Sequence, residues 1–269
     1  MSAQPSTIER EVEEIKFPIP GGLEMTGWIC RPDASSKPAP AVLVVHEILG
    51  LIDNLKPILR RFADNGYVAL CPQLFDKPGF KAICVAKTVY SMMSAQGSSV
   101  DDMQAAIDYL KVQDNVDENK LGVAGFCFGG GFALVMGLSP DIKASAPYYG
   151  TCPTFLKKIE DSCPVIASYG GKDLSMLTQI KPLKRALENA NIEHEVNVYP
   201  NAGHSYMVKQ KEPSIGSKLL QMSPMRITYK HDEAEESWEK MLAFFTKHVC
   251  DNEAPIVAGS NEQTTEALT

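Results

Sequence analysis

Six short runs rich in Val, Ile and Tyr alternate with amphipathic helical segments, and this alternation restricts the fold more than any other feature of the chain. The runs are AVLVVHE (41–47), YVALCPQL (67–74), KLGVAGF (120–126), IKASAPYYG (142–150), PVIASYGG (164–171) and EHEVNVYP (193–200). Most are continuously apolar, the pattern of strands buried on both faces of a parallel sheet. Helical periodicity falls between and around them, near 54–65, 82–95, 100–113, 129–139, 174–190 and 232–249. Asp101, Asp102 and the serines before them mark the start of the third helix, and Gly66 stops the first. Two earlier segments, EVEEIKFPI (11–19) and MTGWICRP (25–32), alternate in polarity and predict an antiparallel hairpin at the sheet edge. The expected fold class is α/β, a mostly parallel central sheet with helices on both faces and that hairpin at its N-terminus.

At 269 residues and 44% hydrophobic, the chain has material for one large core. A single domain is expected over 8–250. Within it, residues 205–229 join the last strand to the last helix without periodicity and form a lid candidate. Residues 251–269 read as a mobile polar tail. The net charge of −7 and the intermixing of both signs exclude a nucleic-acid footprint. Residues 121–140 carry no charge over a length that could span a bilayer, but six glycines and a natural division into strand and helix argue against a membrane partner. The acidic N-terminus has no apolar core of a secretory signal, and seven cysteines, an odd count, suit a reducing cytoplasm. Nothing in the sequence separates a monomer from a small homo-oligomer.

The chemistry concentrates in GFCFGGGFAL, 125–134. Cys127 falls between a strand and a helix, where hydrolases of the α/β type hold their nucleophile on a sharp turn that only small neighbours permit. Gly125 and Gly129 meet that requirement. The turn aims the N–H of Phe128 at a reacting carbonyl oxygen, and the helix N-terminus adds a positive dipole. A lone cysteine among glycines is also an ordinary packed core residue. A dinucleotide loop fails because Cys127 occupies the place of the second glycine, and a phosphate loop fails because no Gly-Lys-Ser/Thr follows.

The partners of such a nucleophile follow in the order acid, then histidine. YGGKDLSM places Asp173 after one strand, and YPNAGHSYM places His204 after the next. Asp173 is equally suited to cap a helix, and His204 to be a loop histidine. VVHEILG (44–50) ends the strand from which a second oxyanion-binding N–H arises in this fold, here that of Ile48. His46 and Glu47 do not begin a zinc motif, since Gly50 stands where the second histidine belongs. Neither metal nor cofactor is expected.

VVHEILGL, GYVALCPQLF, GFCFGG, GGKD and NAGHSYM, in that order, resemble the dienelactone hydrolase family, the carboxymethylenebutenolidases, from about Ile8 to Val249. The resemblance implies an α/β-hydrolase fold and a Cys-His-Asp triad of Cys127, His204 and Asp173. It also implies that Glu47 contacts the resting thiol and helps to convert it to thiolate. Members that cleave dienelactone grip its carboxylate with two arginines. At those places this chain has Val208 and Lys77, so the resemblance carries the chemistry further than the substrate. The expected activity is hydrolysis of a small ester or lactone through a cysteine acyl-enzyme. The rivals are an acyltransferase or thioesterase on the same site, and a non-catalytic ligand-binding protein.

Overall fold

The computed structural model describes residues 10–33, 37–75, 77, 81–153, 156–209 and 221–257. Eight strands form one sheet: β1 Glu13–Ile19, β2 Leu23–Cys30, β3 Ala39–Val45, β4 Val68–Pro72, β5 Val116–Phe126, β6 Ile142–Tyr148, β7 Val165–Gly170 and β8 His194–Tyr199. Their spatial order is β1-β2-β4-β3-β5-β6-β7-β8. The β1–β2 hairpin is antiparallel and joins β4 antiparallel, while the remaining pairs are parallel. Sequence patterning therefore located every strand of the sheet, including the edge hairpin.

Helices cover both faces. Helices α1 Lys56–Asp64 and α6 His231–His248 pack on one, and α2 Lys81–Ser94, α3 Ser98–Lys111, α4 Phe128–Met136 and α5 Leu177–Asn189 on the other. The period of two in β3 divides the core: Ala41, Leu43 and Val45 enter the α3/α4 layer, and Val42 and Val44 enter the α1/α6 layer. Arg61 of α1 stacks 4.5 Å from the Trp238 ring of α6 and pairs with Glu235, tying those two helices together. Fully buried side chains such as Phe62, Trp238 and Phe132 each contribute about 1.5–3 kcal/mol by leaving water.

Element ends differ from the sequence expectation where a side chain captures the backbone. Strand β3 stops at Val45, two residues early, because the ring of His46 bonds the carbonyl of Glu47 at 2.7 Å instead of letting the chain continue extended. Helix α5 begins at Leu177 rather than 174, because the carboxylate of Asp173 accepts the N–H of Ser175 at 3.1 Å and folds 173–175 into a turn. Helix α3 starts earlier than its acidic pair suggested, behind Gly97, and Asp102 lies buried within it. The central part of the lid candidate, 210–220, and the tail from 258 onward lie outside the described residues. Residues 251–257 are described, and Pro255 and Ile256 lie against Gly66. Among the described residues no helix is long and apolar enough to cross a membrane.

Candidate active site

Strands β3, β5, β7 and β8 run parallel, so the residues that follow their carboxyl ends collect on one edge of the sheet. Glu47 follows β3, Cys127 follows β5, Asp173 follows β7 and His204 follows β8.

Cys127 links β5 to α4 with φ 55° and ψ −116°, a conformation that a residue bearing a side chain rarely adopts. Main-chain bonds hold it there: its N–H donates to Tyr148 O at 3.0 Å, and its carbonyl accepts from Gly130 N–H at 2.9 Å. The glycines make this possible by absence of bulk. A methyl on Gly125 would overlap the carbonyl of Gly129, and one on Gly129 would overlap the carbonyls of Val45 and His46. Cys127 stays partly exposed, and Phe128 opens α4, whose first N–H has no carbonyl one turn earlier in the helix to receive it.

Asp173 and His204 are buried, with 0% and 2% of their surface exposed, and His204 Nδ1 stands 2.5 Å from Asp173 Oδ2. The other carboxylate oxygen accepts both the N–H and the hydroxyl of Ser175, at 3.1 and 2.5 Å, so Asp173 is held on both sides. The imidazole's Nε2 is buried without a well-formed hydrogen bond. Burial opposes a charged imidazole. The hydrogen bond to Asp173 and the facing thiol of Cys127 outweigh it and hold His204 up at about 10. The Tyr149 ring packs 4.9 Å from the His204 ring, its own backbone at φ 39° and its hydroxyl buried without a partner.

Glu47 is partly buried, and that burial raises its carboxyl above the usual carboxylate range, partly countered by Ser205 and His204. Ser205 Oγ donates to its Oε1 at 2.6 Å. Ile48 and Leu49 beyond it are exposed, at 42% and 64%.

The remaining two positions are engaged elsewhere. Lys77 Nζ lies 2.5 Å from Asp102 Oδ2, so its charge is spent on a buried carboxylate. Val208 is 4% exposed and packs in the same apolar cluster as Tyr149, Tyr206 and Met207. Sequence reasoning missed Ser205, Ser175 and Tyr149. The Asx-turn spacing D-x-S at 173–175 was a readable signal for Ser175. Ser205 and Tyr149 carry none, because their roles arise from strands distant in the chain. Among the described residues no group of His, Cys, Asp and Glu is arranged to hold a metal ion.

A dienelactone hydrolase-like promiscuous phosphotriesterase from metagenomic libraries superposes with a TM-score of 0.73 at 24% identity, covering 89% of this chain and 99% of that one. The fold is thus that of the α/β-hydrolases, with its strand ends gathered at one edge. The model of the dienelactone hydrolase family matches residues 25–249. The chain is 31% identical over 244 residues to a Yersinia pestis protein, covering 84% of this chain and 85% of the relative, and 28% identical over 245 residues to one from Escherichia coli K12, covering 84% of each. Both relatives bear the name "Putative carboxymethylenebutenolidase". The chain belongs to the dienelactone hydrolase family and is a hydrolase.

Proposed function

We propose that this hydrolase cleaves a small neutral ester or lactone through a thioester on Cys127. The thiolate attacks the carbonyl carbon, forming the C–S bond while the carbonyl electron pair moves onto oxygen. The N–H groups of Ile48 and Phe128 receive that oxyanion. As the tetrahedral adduct collapses, the C–O bond breaks and the departing alkoxide takes a proton from His204 Nε2. Water then gives a proton back to His204 and adds to the thioester, releasing the acid and the thiolate. Asp173 keeps the imidazole oriented throughout. In the resting site Glu47 is the acceptor for the thiol proton, and a carboxyl raised by burial suits that use.

The observation that carries this reading is the buried Asp173–His204 pair, whose imidazole faces the thiol of a cysteine held at positive φ. The preference for a neutral substrate rests on Lys77 and Val208. One is neutralised by Asp102 and the other is an apolar core side chain, so neither supplies the charge-assisted fork that grips a carboxylate. The test is turnover of short-chain nitrophenyl esters and simple lactones by wild type and Cys127→Ala. Wild type is expected to turn over with a thiol-dependent burst, and Cys127→Ala to be inactive with an unchanged fold. Full activity in purified Cys127→Ala overturns the nucleophile assignment.

A further inference from the structure

We infer that His46 is a positioning residue for the oxyanion site: it orients and polarises the peptide unit that carries the Ile48 N–H. The inference rests on the reading that this N–H receives the oxyanion. The carbonyl of Glu47 and the N–H of Ile48 belong to one planar trans peptide, so they point in opposite directions. Whatever fixes the carbonyl fixes the N–H.

Two donors fix that carbonyl. His46 Nδ1 lies 2.7 Å from Glu47 O, and Gly50 N–H donates to the same oxygen at 3.0 Å, closing a tight turn at a glycine with φ 81°. The tautomer follows from the other side of the ring. The backbone N–H of Leu74 donates to His46 Nε2 at 3.1 Å, so Nε2 carries the lone pair and Nδ1 the proton. The ring is fully buried and packs 5.1 Å from the Phe75 ring. Burial also pushes the imidazole down to about 4, which keeps one neutral tautomer across the working range.

The imidazole thus joins the loop after β4 to the turn after β3, with each nitrogen used once. A carbonyl that accepts two hydrogen bonds draws electron density away from its amide nitrogen and makes the N–H at the other end a stronger donor. The start of α4 meets the same turn, since Gly129 abuts the Val45 and His46 carbonyls. The peptide that His46 holds therefore stands beside the helix start that supplies the Phe128 N–H.

The two nitrogens can be separated by substitution. His46→Asn keeps a donor near the place of Nδ1 and loses the Nε2 acceptor. His46→Gln keeps an acceptor for Leu74 and loses the donor to Glu47. Three quantities are to be measured in each: kcat and KM for a nitrophenyl ester, affinity for a trifluoromethyl ketone that adds to the Cys127 thiolate as a tetrahedral oxyanion, and the rate of Cys127 alkylation by iodoacetamide, which forms no oxyanion. Deleting one oxyanion donor outright costs ~10²–10³ in kcat, so loosening one is expected to cost about 10- to 100-fold. His46→Gln should show that loss in kcat and an equal loss in ketone affinity, with KM and alkylation rate within about twofold of wild type. His46→Asn should recover most of both.

Wild-type kcat and ketone affinity in His46→Gln would overturn the inference. So would alkylation that slows in step with kcat, or an Asn variant as poor as the Gln variant, because the ring would then serve packing alone. Cys127→Ala run in parallel separates the two levels. If it still turns over ester, the nucleophile assignment has failed and this inference falls with it. If it is inactive while His46→Gln is not, only the role of His46 is lost.

Discussion

Replacing Asp173 by Asn removes one charge and almost no volume, which makes it the sharpest probe of the acid–base pair. The carboxylate accepts three hydrogen bonds, two from Ser175 and one from His204 Nδ1. An amide can keep its oxygen toward Ser175, but its NH₂ then faces Nδ1. To avoid two opposed donors the imidazole must carry its proton on Nε2, where it cannot accept one from water. The expected loss in kcat/KM is ~10⁴-fold, about 5.5 kcal/mol of activation free energy at ~1.4 kcal/mol per decade. A second consequence is a pH-dependent stability deficit. His204 is raised from 6.5 to about 10 in the folded protein, against the opposing effect of burial. A group raised on folding stabilises fully below its unfolded pKa and loses that contribution as pH rises through its folded pKa. The Asn variant should therefore be least stable relative to wild type near pH 6, and the gap should close as pH approaches 10. Single-turnover kinetics with a nitrophenyl ester and urea unfolding at four or five pH values measure both effects. A loss under about tenfold in rate, or a stability gap that widens with pH, refutes the reasoning.

Glu47→Gln is expected to slow the enzyme and yet raise its Tm near pH 8. Burial lifts this carboxyl, so holding it ionised costs stability that appears as pH rises through the raised pKa and disappears in acid; calorimetry at about pH 4 and pH 8 checks the sign. Lys77→Met leaves the buried Asp102 carboxylate uncompensated, expected to cost ~3–5 kcal/mol at neutral pH and less in acid, where Asp102, itself raised by burial, takes up a proton. Denaturant unfolding of that variant at two pH values is the measurement, and a specificity change without a stability loss would count against the pairing. Gly129→Ala should fall short of folding or lose more than the ~1–3 kcal/mol typical of overpacking, since its methyl meets two carbonyls, whereas Gly137→Ala, whose nearest neighbour is Ser162 Oγ at 3.2 Å, should be nearly tolerated in the same experiment.

The strands were legible because a parallel sheet buried on both faces writes itself as continuous apolar runs, and β3 and β4 are buried almost throughout. The order of Cys127, Asp173 and His204 was legible for a related reason: each falls just after such a run, and parallel strands bring those ends together. What the one-dimensional pattern could not carry is the pairing of groups across the edge. The Ser205 bond to Glu47 spans 158 residues, and the His46 bond to the Leu74 N–H spans 28. His46 read as half of a failed metal motif because its partners are backbone atoms, which have no sequence signature. Lys77 read as a substrate cation because it stands where the resembled family has an arginine; its ion pair with Asp102 was not legible, because that carboxylate sits in a helix whose acidic start looked like a capping signal.

Activity and global folding have different weak points in this molecule. Cys127 follows β5, in the middle of the sheet, whereas His204 follows β8, which among the described residues is an edge strand paired on one side, with residues half open to water. Beyond β8 the histidine turn is secured by main-chain bonds from His204 N–H to Met225 O at 2.7 Å and from Lys230 N–H to Tyr206 O at 3.2 Å. Segments of this kind open with free energies well below that of the whole domain. On the proposed mechanism, a rise in temperature or denaturant is therefore expected to part His204 from Cys127 while the central strands remain in place, so that fraying at the sheet's border would silence the enzyme before it unfolds.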